Sequence, residues 1–267
     1  MPDIAPEIAE DLVRFWTALD SGLECVTPTL WGAVVTDRRF PRVWDTNYAR
    51  VETADPALAL AEVAADLEPA LEAAGADHTH VVLFRPDAAD GLLEELTVRG
   101  DRPSWDVVMT HEGDDPPPAG VAVEELRMDA DIWDRLGASL GSFGVDEPAV
   151  MQQLVRLERE VMDPAGKRWF GVRGPGGEVV AFGALVSLAG LGYVDDVVTF
   201  PEWRGRGYAR AIVTRLVHEA RAAGVRRTFL LVDPQGPVRL YEGLGFREAT
   251  RIASTRAPRQ LVGGGGR

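Results

Sequence analysis

With 267 residues and 46% apolar side chains, the chain can bury a substantial core, yet no apolar run approaches the ~20 residues that span a bilayer. One cysteine, Cys25, excludes an internal disulfide and a cysteine zinc cage, and the acidic start lacks the basic stretch of a secretory signal, which points to a cytoplasmic protein without membrane contact. The net charge of −14 argues against nucleic acid as a partner.

That charge is uneven. Residues 1–120 hold 24 Asp/Glu against 8 Arg, whereas residues 121–267 hold 18 against 20 Lys/Arg. Lys167 is the sole lysine among 28 basic residues, a bias that reads as coding composition and not as mechanism. The His78-x-His80 pair opens a strand-like run and reads as solvent-facing, so no metal site is expected.

In chain order, Ile8, Leu12, Phe15, Trp16 and Leu19 recur at helical spacing and predict a helix over residues 5–19. Strands are expected over 31–36 and 48–52. Asp55 followed by Pro56 predicts a helix start, and Gly75 its stop. A strand over 80–84, a helix over 87–98 and a strand over 105–110 complete this part, with Trp31, Trp44 and Trp105 as core candidates. Three consecutive prolines, Pro116 to Pro118, cannot donate backbone hydrogen bonds and mark a linker at 116–120. Beyond it come a strand over 121–127, helices over 129–140 and 147–161, and a hairpin of 168–173 with 179–188 across Gly174-Pro-Gly-Gly177. A strand over 193–199, a helix from 207 to 224, a strand over 227–232, a short helix over 237–243 and a strand over 246–255 follow. The glycine-rich end reads as a disordered tail, 258–267.

The chemistry concentrates in Asp195-Asp-Val-Val-Thr-Phe-Pro-Glu-Trp-Arg-Gly-Arg-Gly-Tyr-Ala-Arg210. A strand runs into a glycine turn and a long helix leaves it. Such a turn presents unpartnered amides and the positive end of the helix dipole to an anion. Arg204 and Arg206 can add charge-assisted contacts, so a pyrophosphate-bearing cofactor is indicated. The Gly-Lys-Ser/Thr of a P-loop is missing, as are the three glycines of a dinucleotide fingerprint.

Arg204, Gly207 and Ala209 resemble the Arg/Gln-x-x-Gly-x-Gly/Ala signature of the GNAT superfamily, and Leu240-Tyr-Glu-Gly-Leu-Gly-Phe246 resembles its Leu-Tyr-Glu-x-Leu-Gly-Phe segment. The resemblance covers roughly residues 121–257. It implies an α/β (α+β) fold of tandem GNAT-like modules, each a mixed, mostly antiparallel sheet flanked by helices, with splayed strands forming an acetyl-CoA cleft in the C-terminal one. On that reading residues 1–115 are a degenerate N-terminal module and 121–257 the catalytic domain. The segment from Thr53 to Leu58 has no glycine or arginine where the turn should be, and Leu93 stands in place of the tyrosine.

The resemblance also implies roles. Arg204, Gly205, Arg206, Gly207, Tyr208, Ala209 and Arg210 would hold the pyrophosphate of acetyl-CoA, and the backbone of Val197, Val198 and Thr199 its pantetheine arm. Tyr241 would protonate the departing thiolate, and a carboxylate on the strand before the turn would deprotonate the amine. Strand alternation puts Asp195 and Asp196 on opposite faces, with Asp195 the expected base. Pro234 stands where relatives often carry Asn. The implied activity is acetylation of a primary amine on a small molecule, and the acidic first half points to a cationic one. A protein or peptide acetyltransferase and a non-catalytic CoA sensor are the alternatives.

Overall fold

The computed structural model describes residues 6–114, 116–117 and 120–259. The expected tail beyond residue 259, and Pro118 and Ala119 of the expected linker, lie outside the described residues. The chain forms two compact units. One takes the described residues up to Asp106 together with those from Arg251, and the other runs from Val107 to Thr250.

In the first unit, α1 (Pro6–Asp20) carries Leu12 and Phe15 on its buried face, as the apolar spacing predicts. Strands β1 (Cys25–Pro28), β2 (Gly32–Thr36) and β3 (Tyr48–Val51) pair antiparallel in succession. A parallel crossover through α2 (Leu60–Ala74) brings β4 (His78–Leu83) beside β3. The α2 helix begins later than the Asp55-Pro56 pair suggests. The Asp55 carboxylate accepts from the Ala57 amide at 2.9 Å and closes a local turn, and the Glu62 side chain instead accepts from Ala59 N–H. After α3 (Asp90–Arg99), β5 (Arg102–His111) leads out of this unit.

Two readings of this half are corrected. His78 and His80 are buried, not solvent-facing. His78 Nε2 meets the Asn47 carbonyl at 3.3 Å and His80 Nδ1 the Trp44 carbonyl at 3.2 Å. Burial holds the His80 imidazole down to about 4, so it is neutral near pH 7. Trp31 is core, but Trp44 is exposed, with the Arg256 guanidinium 4.2 Å from its ring centroid.

A buried ion pair ties α1 to the sheet. Asp20 bonds Arg50, both side chains 3% exposed, and accepts the Tyr48 hydroxyl at 2.8 Å. Removing Asp20 leaves the buried Arg50 with Glu52, at 2.7 Å, as its charged partner and takes the acceptor from the buried Tyr48 hydroxyl. Asp20→Ala is therefore expected to destabilise the protein by ~3–5 kcal/mol, read as a fall in denaturant midpoint.

The second unit repeats this path. β6 (Glu124–Glu125) is followed by α4 (Ala130–Ser139), capped by Asp129, and α5 (Pro148–Leu157). Strands β7 (Arg168–Arg173), β8 (Val179–Leu188) and β9 (Leu191–Thr199) pair antiparallel, and α6 (Tyr208–Ala222) crosses to β10 (Arg227–Val232), parallel to β9. Then come α7 (Val238–Glu242) and β11 (Phe246–Pro258). One core, with Ile212, Leu216 and Val217, lies under α6, and another, with Ile132, Leu136 and Trp169, involves α4.

The units do not divide at 116–120. They divide within β5, at Asp106/Val107, and within β11, at Thr250/Arg251. Residues 107–110 of β5 pair antiparallel with β10 in the second unit, and residues 253–258 of β11 pair with β4 in the first. Each unit thus takes a strand from the part of the chain assigned by sequence to the other.

Candidate active site

Strands β9 and β10 pair only from Leu191/Arg227 to Tyr193/Phe229 and then part. Beyond that point β9 carries a bulge, where register slips against β8 between Phe182 and Ala184 and Asp196 takes φ 49°. A cleft of about 660 Å³ lies beside the far end of β9. Its walls include Val197, Val198 and Thr199 of β9, the turn from Arg204 to Arg210 except Arg206, and Pro237, Leu240 and Tyr241 around α7. Ser142 and the 56% exposed Phe143, between α4 and α5, also line it; sequence reasoning missed both.

The turn has the geometry that its glycines require. Gly205 and Gly207 adopt φ 76° and 78°, and a Cβ built on either meets nothing within 4 Å. They are needed for backbone conformation, and the space before them is open. The first helical bond of α6 runs from Ala211 N–H to Gly207 carbonyl at 3.0 Å, and Gly207 caps without a side-chain bond. Among the described residues, the amides from Gly205 through Arg210 have no acceptor. The Thr199 hydroxyl is likewise buried without a partner. Such a row of donors fits a pyrophosphate and an amide-bearing arm.

The arginines divide. Arg204 donates from Nε to the Thr199 carbonyl at 3.2 Å and Arg210 to the Gly243 carbonyl at 3.2 Å, both beside the cleft. Arg206 instead lies 4.6 Å from the Trp203 ring centroid and lines no part of it. Pro234 belongs to a turn held by Asp233, whose carboxylate accepts from Gln235 N–H at 2.7 Å.

Tyr241 is 7% exposed on α7 and lines the cleft. Burial, aided by the negative charge of Asp195, pushes its hydroxyl up to about 12, so it stays protonated through the ordinary pH range. Asp195 does not line the cleft, although its charge reaches Tyr241 and Val197 two residues on is in the wall.

The expectation that Asp195 and Asp196 face opposite ways fails. The bulge at Asp196 breaks the alternation, and both carboxylates accept from Lys167 Nζ, at 2.8 and 2.6 Å. Lys167 also donates to Glu158 at 2.9 Å, and its own side chain is 0% exposed. Burial alone would strip its proton, but the three carboxylates hold its pKa well above the ordinary lysine value. Among the described residues no cluster of His, Cys, Asp and Glu has the form of a metal site, and no helix is long and apolar enough to cross a membrane.

Part of the chain is similar in sequence, and most of it in fold, to known proteins. Residues 130–246 match the profile of the Acetyltransferase (GNAT) family. A GCN5-related N-acetyltransferase from Kribbella flavida is similar in structure over 98% of both chains, at 19% identity and TM-score 0.61. A conserved protein of unknown function from Staphylococcus epidermidis is similar over 85% of this chain and 91% of that one, at 10% identity and TM-score 0.65. A GCN5-related N-acetyltransferase from Sphaerobacter thermophilus matches over 68% of this chain at 22% identity and TM-score 0.52, and the present chain spans 59% of its length. No curated protein matches the chain.

Proposed function

We propose that this protein, whose residues 130–246 match the profile of the Acetyltransferase (GNAT) family, transfers an acetyl group from acetyl-CoA to a primary amine of a small, cationic molecule. Acetyl-CoA supplies an activated thioester; the protein supplies grip, orientation and proton traffic. The observation that carries the reading is the row of unpartnered amides from Gly205 through Arg210, in the wall of the cleft between β9 and α7. In this reading those amides, with Arg204 and Arg210, take the pyrophosphate. The Val197–Thr199 backbone and the Thr199 hydroxyl take the pantetheine arm.

Tyr241 is the acid that protonates the leaving sulfur. A phenol pushed up to about 12 keeps its proton until a strong base forms beside it. Asp195, set back from the cleft wall but near enough for its charge to act on Tyr241, receives the proton of the amine through solvent. The surplus of carboxylates in residues 1–120 supports a cationic acceptor, through attraction over distance. The first unit has the same strand path, but no glycine between β3 and α2, so we assign CoA binding to the second unit alone.

Thiol release from acetyl-CoA, measured against spermidine, glucosamine and benzylamine, tests the reading. Acceleration over hydrolysis by at least one cationic amine is expected, and none accelerating would overturn it. Tyr241→Phe is expected to lower kcat by ~10²-fold or more with little change in KM for acetyl-CoA. Unchanged turnover would remove Tyr241 from the chemistry.

A further inference from the structure

The lone lysine sits where three carboxylates meet. We propose that Glu158, Lys167 and Asp195 form a proton relay that drains the acceptor's proton out of the cleft, with Glu158 as its terminal base. The proposal rests on the acyl-transfer reading of the cleft and adds to its base, Asp195, two residues that reading leaves unused, Glu158 and Lys167.

Two backbone irregularities build the cluster. One is the bulge that turns Asp196 to φ 49° and lets both aspartates face Lys167. The other is a π-helical turn, Glu158–Met162, closed by Asp163 N–H to the Glu158 carbonyl at 2.8 Å, which ends α5 and sets Glu158 against Lys167. Both kinds of distortion concentrate at functional sites. They converge here on one ammonium.

The choice of lysine is informative in a chain whose other 27 Lys/Arg residues are arginines. An ammonium offers three rotatable donors to three carboxylates, at 2.9, 2.8 and 2.6 Å. It can also release one proton while taking another, which a guanidinium cannot. Glu158 has a spare site for that proton, since its Oε2 is buried without a partner among the described residues. Its carboxyl is pushed up to about 8 by burial; Lys167 pulls the other way, while Asp196 and Asp195 add to the rise. A base near 8 matches an alkylammonium near 10 far better than an ordinary carboxylate near 4.

The route conserves protons. The acceptor amine gives one through solvent to Asp195, which is set back from the cleft wall with its side chain 23% exposed, Lys167 takes it from Asp195 while passing one of its own to Glu158, and Lys167 and Asp195 return to their starting states. The amine ends one proton poorer and Glu158 one richer, and no electrons are exchanged. Tyr241 separately supplies the proton for the leaving sulfur.

The charged groups around Glu158 are Lys167, Asp195 and Asp196, with Tyr241 beyond Asp195. With the full-length enzyme, acetyl-CoA and the best acceptor of the amine panel, kcat/KM is expected to rise with pH through about 8. Glu158→Gln should lower kcat/KM by ~10²-fold or more and erase that rise, leaving acetyl-CoA affinity unchanged. Lys167→Arg, which keeps the charge but cannot hand on a proton, should do the same. In unsubstituted protein labelled with ¹³C-glutamate, one buried carboxyl should titrate with the rate, which holds the test open if either variant fails to fold. An active enzyme whose Glu158→Gln form keeps the rise, or in which no carboxyl titrates near 8, overturns the relay alone. Acetyl-CoA binding with no amine accelerated overturns the functional reading instead.

Discussion

Gly207→Val will cost the protein its hold on acetyl-CoA while leaving its fold standing. Gly207 sits at φ 78°, in the left-handed region, and caps α6 with its backbone alone. A β-branched residue there carries ~1–2 kcal/mol of steric strain, most simply relieved by rotating the turn. Rotation re-aims the amides of Tyr208, Ala209 and Arg210, the first donors of the helix. Each charge-assisted bond to a phosphate oxygen contributes ~1.5–3 kcal/mol, so losing two weakens binding by a hundredfold or more. The fold is spared because a Cβ at Gly207 meets no atom within 4 Å. Calorimetric titration with acetyl-CoA and its protection against thermal unfolding both measure the effect. Binding unchanged to within a factor of three would remove the turn from the site.

The turn was legible because its chemistry dictates residue type at each position: glycine for left-handed backbone, arginine beside it, a helix behind. The splaying of β9 from β10 was legible only through family resemblance, since no local pattern says where two strands stop pairing. Other features escaped for identifiable reasons. The β1 strand, Cys25–Pro28, is mostly exposed and ends on proline, so it lacks the apolar alternation that flags a strand. The partners of β5 and β11 are decided by tertiary pairing, and either strand reads locally as a plausible closing strand for its own half. Asp195 and Asp196 followed the alternation rule on paper, and a single bulge cancelled it. The lysine was the missed signal. Its uniqueness stood in the composition, but only the fold shows that three carboxylates surround it.

That arrangement makes Lys167→Met a severe change with a distinctive pH signature. Removing the ammonium leaves Glu158, Asp195 and Asp196 facing one another, and breaking a buried ion pair costs ~3–5 kcal/mol. The sign of its pH dependence follows from linkage. In the native protein the Glu158 carboxyl stands near 8 against an ordinary 4.5, so its contribution to stability is complete below 4.5 and is lost as pH rises through about 8. Without Lys167 the Glu158 carboxyl loses the positive charge that pulls its pKa down, so its folded-state pKa climbs further and the variant goes on losing stability at higher pH. The gap between native and Met protein should therefore widen from pH 5 to pH 9, read from urea midpoints at each pH. Lys167→Arg keeps a positive charge and should show a smaller gap with a weaker slope. A gap that stays constant across that range would mean the three carboxylates do not share one ammonium in solution.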